Sequence, residues 1–154
     1  MEGIEVISRG RYRHLPWHGE ELSHKLEVLL QDLKPGLKVS NGSLAETLSS
    51  PQSHLFFAVY TPHSGESELV GYAELLEWHS ATGRAGYVEN VVVKKEFQGR
   101  GIGSTVIAAL IEVAQVRHLH ALWLHSGEWR TGAHALYKKH GFERKDTIVL
   151  CRDM

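Results

Sequence analysis

Apolar residues along the chain repeat with a helical spacing in four segments. In residues 20–33 the leucines fall on one face of a helix (Leu22, Leu26, Leu29, Leu30 and Leu33), and Pro35-Gly36 ends it. A shorter helix is predicted over residues 43–48. Two further helices are predicted over residues 101–116 and 130–140. The first of these carries a long apolar stripe (Val106, Ile107, Leu110, Ile111 and Val113).

Between these helices, short apolar runs bounded by turn residues predict strands. The strands cover residues 4–7, 55–60, 69–78, 86–93 and 120–125, and residues 142–151 form a last strand or pair of strands. Residues 61–68, which contain Pro62 and Gly65, are the turn-rich link expected of a hairpin. The order of elements predicts a mixed α/β (α+β) fold whose first half is mainly antiparallel.

Composition limits the classes of protein that the chain can represent. Its 154 residues suffice for a single domain over residues 1–154, and 42% hydrophobic with 23% charged residues is typical of a globular protein. Seventeen Lys and Arg against eighteen Asp and Glu give a net charge of −1, so overall charge predicts no nucleic-acid partner. The eleven histidines are a surplus that composition does not explain.

The ends of the chain and its cysteine indicate a cytoplasmic protein with no membrane partner. Charged residues interrupt the first ten positions, so no signal-peptide core is expected, and no apolar run reaches the ~20 residues that cross a bilayer. The single cysteine, Cys151, has no internal disulfide partner, which favours a reducing compartment. We expect Cys151 to be buried near the end of a strand.

A glycine-rich turn follows the apolar strand at residues 86–93 and precedes a helix. Glycines let a ligand approach the backbone, and the first N–H groups of the helix suit a phosphate or pyrophosphate. The turn is not a P-loop, because Gly103 rather than Lys precedes Ser104. It is not a dinucleotide fingerprint either, because Ser104 occupies the position of the third glycine. A plain structural turn stays an alternative.

Two motifs in order resemble the GNAT superfamily of acyl-CoA-dependent N-acyltransferases. Gln98-Gly99-Arg100-Gly101-Ile102-Gly103 is similar to its Q/R-x-x-G-x-G/A signature. The segment from Ala133 to Phe142, with Tyr137 and Gly141, is similar to its A-x-x-[FL]-Y-x-x-x-G-F element. The resemblance covers residues 55–152. It implies a mixed, mostly antiparallel, twisted sheet of six to seven strands that is splayed in the middle and flanked by about four helices.

The resemblance implies acetyl-CoA as co-substrate and assigns its contacts. The pantetheine arm is expected to pair with the main chain of the strand at residues 86–93, through Val91 and Val93 in a segment that includes Val92. The pyrophosphate is expected on the turn that follows, chiefly on its backbone N–H groups (Gln98, Gly99, Arg100, Gly101, Ile102, Gly103 and Ser104). Arg100 and Ser104 can add side-chain contacts. The same valines also suit an apolar core strand.

Tyr137 matches the general-acid tyrosine of the family, and Glu89 is the candidate base. A phenol with a pKa near 10 is well matched to a thiolate leaving group. Strand alternation places Tyr87, Glu89 and Val91 on one face, unless a bulge changes the parity. Tyr137 could instead be only packed, and Glu89 only solvated or structurally paired. His125 is an alternative base, and His79 on the neighbouring strand is a further alternative.

One position departs from the family pattern. Many members carry Asn seven residues before the tyrosine, where this chain has Arg130. Arg130 could contact a phosphate or an acidic substrate, or only begin a helix. His118 and His120 are two residues apart, but no further ligand adjoins them, so no metal is expected.

The resemblance implies an N-acetyltransferase that moves an acetyl group from acetyl-CoA to a primary amine by direct attack in a ternary complex. The sequence specifies no nucleophile for a covalent intermediate. The acceptor stays open among a small amine, an amino sugar and a peptide lysine, and a homodimer stays open as well. The alternative is a non-catalytic acyl-CoA-binding or regulatory domain with the same fold.

Overall fold

The computed structural model describes residues 3–154, which form five strands and four helices. The strands are β1 (Ile4–Ile7), β2 (Ser53–Tyr60), β3 (Glu68–Ser80), β4 (Gly83–Val93) and β5 (Leu122–Leu124). The helices are α1 (Gly19–Leu30), α2 (Asn41–Ser49), α3 (Ile102–Val116) and α4 (Thr131–Lys139). Short 3-10 turns occupy Tyr12–His14 and Lys95–Phe97. Every predicted helix is present, with ends displaced by no more than a few residues.

The strands form one sheet in the order in which they occur in the chain. β1 to β4 are joined by antiparallel pairing, and β5 alone is parallel to its neighbour β4. β2 and β3 are the predicted hairpin. The mixed, mainly antiparallel α/β fold predicted from the sequence is therefore confirmed.

Helices cover both faces of the sheet and bury two separate cores. α1 and α2 pack on one face, against residues such as Phe57, Tyr72 and Val92. α3 packs on the other, against residues such as Phe56, Leu75 and Val88. Since neighbouring residues of a strand point to opposite faces, the apolar runs predicted as strands supply both cores at once.

The predicted last strand is wrong. Residues 143–154 adopt no regular structure, so the sheet has five strands rather than the six to seven expected. Ile148 and Leu150 are 83% and 85% exposed, and Cys151 is exposed rather than buried. A run of β-branched residues indicates only a preference for extended backbone. To form a strand, the run must also pair with a free edge of the sheet, and β5 offers an edge of just three residues.

A buried carboxylate ties β3 to the C-terminal end of α3. The side chain of Glu77 is 0% exposed, and its Oε1 accepts hydrogen bonds from Arg117 Nε and His54 Nε2, both at 2.6 Å. Arg84 Nη2 donates to Oε2 at 3.2 Å. Burial opposes ionisation of Glu77, but the hydrogen bonds from Arg117 and His54 outweigh it and lower the pKa to about 2.

His54 contributes a second acid-sensitive group to this cluster. Its Nε2 donates to Glu77, so the neutral ring carries its proton there, and the buried Nδ1 has no hydrogen-bond partner among residues 3–154. Burial lowers the pKa of His54, although Glu77 opposes the shift. A proton on Nδ1 would therefore be an unpaired donor in the core.

We expect the protein to lose stability in two steps as the pH falls. The unfolded chain binds a proton at His54 near pH 6.5 while the folded protein resists it, so the free energy of unfolding decreases below that pH. A second decrease follows from about pH 4.5 towards 2, where Glu77 is protonated in the unfolded chain first. Urea unfolding of the wild type and of His54→Gln from pH 8 to 5 measures the first step.

The exposed His24 gives the matched control for this measurement. His24→Gln should keep the decrease of the wild type, whereas His54→Gln should flatten it. Equal pH dependence in the wild type and His54→Gln would contradict the assignment.

Candidate active site

β4 and β5 pair over three residues and then part. The register joins Gly86 to Leu122, Tyr87 to Trp123 and Val88 to Leu124, and β5 ends there. β4 continues for five more residues, to Val93. This stretch of β4 is therefore paired with β3 on one side and has no strand on the other, as the predicted splay requires.

A bulge in β4 reverses the side-chain alternation at the same place. Glu74 pairs with Glu89 and Tyr72 with Val92, so β3 places one residue opposite two on β4. Asn90 takes up the extra residue with a φ of 52°, a left-handed conformation that asparagine tolerates better than most residues. Val88 and Val91 both pack on the α3 side as a result, and Val91 does not share a face with Glu89.

The bulge also decides which main-chain groups of β4 face the opening. The N–H of Lys94 donates to the carbonyl of Val70 at 2.8 Å, so Lys94 and Val92 are directed towards β3. Val91 and Val93 alternate with them and are directed away from β3. The carbonyl of Val93 accepts a hydrogen bond from Gln98 Nε2 at 3.0 Å. Val92, by contrast, is committed to the ladder and to the α1-side core.

The glycine-rich turn presents a row of free backbone donors. Gly99 and Gly101 have φ angles of 76° and 79°, which only glycine adopts easily. None of the N–H groups of residues 99–104 donates a hydrogen bond to an acceptor within residues 3–154. With the positive end of the α3 dipole, these donors form a site that fits the pyrophosphate of a nucleotide cofactor.

Side chains around the turn hold its shape. Ser104 Oγ and His140 Nε2 share a hydrogen bond of 2.8 Å that links the start of α3 to the end of α4. The Arg100 guanidinium lies 4.8 Å from the ring centre of Phe97 and is exposed. At Gly103 a Cβ would lie 3.1 Å from Leu136, so glycine here allows α4 to approach closely.

Tyr137 lies on α4 and packs among residues on the α3 side of the sheet. Its ring meets Phe142 edge-on at 5.8 Å, and its hydroxyl makes no hydrogen bond with any of residues 3–154. Burial raises the pKa of Tyr137, and Arg130 partly opposes the shift. The phenol is therefore protonated at neutral pH and has a proton to give.

Glu89 lies on the other face of the sheet from Tyr137. It is exposed, it alternates with Val88, and it stands directly opposite Glu74 on β3. Tyr137 and Glu89 therefore lie on opposite faces of the sheet, Tyr137 on the α3 side and Glu89 on the side of α1 and α2. The pairing of β4 with β5 ends at Val88, and beyond this point an opening in the sheet connects its two faces.

Sequence reasoning missed Glu74, a carboxylate that lies opposite Glu89. Glu74 is half-buried, and its Oε1 accepts hydrogen bonds from Tyr72 Oη at 2.8 Å and from Asn90 Nδ2 at 3.0 Å. The signal was a carboxylate within the otherwise apolar strand at residues 69–78. It becomes interpretable only once the register places Glu74 opposite Glu89.

Three other candidates lie in different settings. His125 is exposed, follows β5, and shares a hydrogen bond between its Nδ1 and the hydroxyl of Tyr87, which keeps it near the opening. His79 lies at the far end of β3, away from the opening, where its Nε2 accepts a hydrogen bond from Arg84 Nε at 3.2 Å. Arg130 Nη2 donates to the carbonyl of Leu33 at 2.6 Å, so it joins the start of α4 to the segment after α1.

Within residues 3–154, no group of three or more His, Cys, Asp or Glu side chains is placed to hold a metal ion. None of the helices in the same range is long and apolar enough to span a membrane.

Comparison of the sequence with known proteins identifies a family and several relatives of this chain. A family model described as the acetyltransferase (GNAT) family matches residues 18–142. Proteins described as thialysine N-epsilon-acetyltransferase are similar to the chain. The Sus scrofa protein is 35% identical over 96 residues, or 60% of this chain and 56% of the relative. The Mus musculus protein is 30% identical over 123 residues, or 77% of this chain and 67% of the relative.

The same comparison supports the fold across its whole length. The crystal structure of a glucosamine-6-phosphate N-acetyltransferase from Arabidopsis thaliana covers 99% of both chains with a TM-score of 0.74 and 18% identity. At that identity the likeness concerns the fold alone. The chain spans between about half and two thirds of the length of the curated relatives it matches.

Proposed function

The chain belongs to the GNAT acetyltransferase family, and on that premise we propose that it transfers the acetyl group of acetyl-CoA to a small primary amine. The observation that carries the proposal is the row of free N–H groups at residues 99–104 beside the parted strands. One molecule can thus be held by its phosphates on the turn while its far end enters the opening. The relatives described as thialysine acetyltransferases support a small amine as acceptor.

Acetyl-CoA binds along the free side of β4 in this proposal. The main chains of Val91 and Val93 are the partners of its pantetheine arm, and Val92 is not one of them, because it faces β3. The carbonyl of Val93 already accepts a hydrogen bond from Gln98 Nε2, and its second lone pair can accept one from the arm. Residues 99–104 then hold the pyrophosphate through their N–H groups, and Ser104 contributes its backbone while its hydroxyl stays with His140.

Glu89 and Tyr137 carry the proton transfers. Glu89 takes a proton from the acceptor ammonium, directly or through water, and the neutral amine attacks the thioester carbonyl carbon. A C–N bond forms, the C–S bond breaks, and the departing thiolate receives the proton of the Tyr137 hydroxyl. The nitrogen then loses its second proton, which restores the Tyr137 phenol through solvent, and the proton held by Glu89 is released to water. The N–H of Val91, directed into the opening, is placed to stabilise negative charge on the carbonyl oxygen. His125 is the alternative base, because it lies beside the same opening.

Thiol release from acetyl-CoA, measured with the purified protein against a panel of amines, tests this function. We expect CoA release that depends on both acetyl-CoA and an amine, with a linear alkylamine and an amino sugar included in the panel. Binding of CoA, measured by calorimetry, is the companion measurement.

Each negative result has a distinct meaning. Binding of CoA without release by any amine would identify the non-catalytic acyl-CoA-binding alternative. Absence of both binding and release would contradict the proposal as a whole.

A further inference from the structure

A cavity of about 380 Å³ lies between the sheet and the layer formed by α1, α2 and the segment between them. Nothing in the proposed binding of acetyl-CoA uses it, since that co-substrate is placed on the turn and along the free side of β4. Much of its wall is aliphatic, formed by five leucines and one valine (Leu26, Leu30, Leu37, Val39, Leu44 and Leu55). Such a wall favours a hydrocarbon ligand over a highly hydroxylated one.

The sheet end of the cavity is polar and carries one carboxylate. Glu74, Tyr72 and Asn90 line the cavity together, and the hydrogen bonds from Tyr72 and Asn90 both go to Oε1 of Glu74. Burial, followed by the nearby Glu74 charge, raises the pKa of Tyr72 well above 10, so Tyr72 remains a neutral donor. The two donors orient the carboxylate without neutralising it.

Glu74 lacks a cationic partner within the protein. No Lys, Arg or His among residues 3–154 forms a salt bridge with it, and its Oε2 makes no hydrogen bond there. Lys38 also lines the cavity, but its Nζ pairs with Glu27 Oε1 at 3.1 Å. Glu89 stands directly opposite on β4, where two like charges repel each other. A cation placed between the two carboxylates would relieve this repulsion and supply the missing partner.

Asn90 connects this arrangement to the proposed reaction centre. It lines the cavity, donates to Glu74, and forms the bulge next to Glu89 where β5 has left the sheet. The carboxylate end of the cavity therefore lies beside the opening between β4 and β5. The aliphatic walls extend from there beneath α1 and α2.

We propose that this cavity binds the acceptor and that Glu74 selects it as an aliphatic primary amine. The ammonium group pairs with Glu74 beside Glu89, and the hydrocarbon chain lies against the leucines. This inference rests on the proposed acetyltransferase function and adds to it the class of acceptor. Polar side chains from residues 38–47 also line the cavity (Lys38, Ser40, Ser43 and Thr47). An amino sugar fits less well, because its hydroxyls that face the six aliphatic side chains would lose water without gaining hydrogen bonds.

Glu74→Gln tests the ion pair while keeping the size of the side chain. We expect the KM for pentylamine to rise roughly 10- to 100-fold, the range for loss of a hydrogen bond to a charged group. The KM for acetyl-CoA should change less than twofold, because Glu74 lies away from the turn. Glu46→Gln, which removes the same charge from the exposed face of α2, is the control and should leave both constants unchanged.

Thr47→Phe tests the hydrocarbon end by filling the cavity from α2. Thr47 is half-buried and lines the cavity. We expect kcat/KM for pentylamine to fall at least tenfold, and kcat/KM for ethylamine to change no more than about threefold. Wild-type protein should also prefer pentylamine to glucosamine.

Failure of the inference can be told apart from failure of the proposed function. If amines are acetylated but Glu74→Gln keeps the wild-type KM for pentylamine, or glucosamine is preferred, the pocket assignment is overturned. If no amine releases CoA, calorimetry still tests the pocket assignment by measuring whether pentylamine binds to the complex of the protein with CoA. Binding that Glu74→Gln weakens at least tenfold supports the pocket, and absence of binding overturns it.

Discussion

Tyr137→Phe should lower kcat for amine acetylation by about 100-fold or more, the effect expected for loss of a general acid. The hydroxyl is the only group removed, and it makes no hydrogen bond with residues 3–154 whose loss could disturb the fold. Burial raises the pKa of Tyr137, so the hydroxyl stays protonated over the working pH range until the thiolate leaves. Steady-state kinetics with saturating acetyl-CoA and pentylamine measures the effect.

The matched control for this variant is Tyr60→Phe. Tyr60 is also a partly buried tyrosine packed against a phenylalanine, Phe97, here in a tilted arrangement, and its hydroxyl has no hydrogen bond within the described chain. We expect it to retain wild-type kcat. The dissociation constant for CoA should change less than twofold in Tyr137→Phe. A fall in kcat of less than about tenfold would exclude Tyr137 as the general acid and leave it a packing residue.

Glu77→Gln should destabilise the fold by about 3 kcal/mol. The neutral amide cannot form ion pairs with Arg117 and Arg84. It also leaves the buried His54 without the carboxylate that accepts its hydrogen bond. Breaking a buried ion pair by removing one partner is strongly destabilising, although the partial exposure of the two arginines moderates the effect here. The loss should appear as a fall of roughly 6–12 °C in Tm.

Two further variants identify the cause of that loss. Glu46→Gln on the surface should change stability by less than about 0.5 kcal/mol. Glu77→Gln made in an Arg117→Gln background should cost clearly less than in the wild type, because the shared interaction is already gone. Equal costs in the two backgrounds would show that Glu77 does not act through Arg117.

The local elements were predictable because their signals are local. The leucine spacing of α1 and the alternation of apolar runs indicate which face of each segment is buried, and Pro35 and Gly36 indicate where α1 stops. The glycine turn and the tyrosine motif were recognisable for the same reason. Family membership and the mixed sheet therefore followed from the sequence, and both are confirmed.

The C-terminal segment shows where this reasoning fails. Residues 147–150 have the composition of a strand, yet the segment lies exposed, because strand formation depends on a free edge elsewhere in the fold. Glu77 shows the converse. In sequence it is one acid on a strand, and only packing makes it a partner of His54, Arg84 and Arg117, residues up to 40 positions away.

For the candidate site, the sequence by itself determined which residue types are present: a turn that frees backbone donors, a tyrosine on the helix predicted at residues 130–140, and a carboxylate at position 89. The tertiary structure decided their arrangement. The bulge at Asn90 turned Val91 away from the face of Glu89, and the register of β3 on β4 brought Glu74, which lines a cavity, opposite Glu89. Side-chain parity and cross-strand pairing depend on contacts between distant segments, and local periodicity does not encode them.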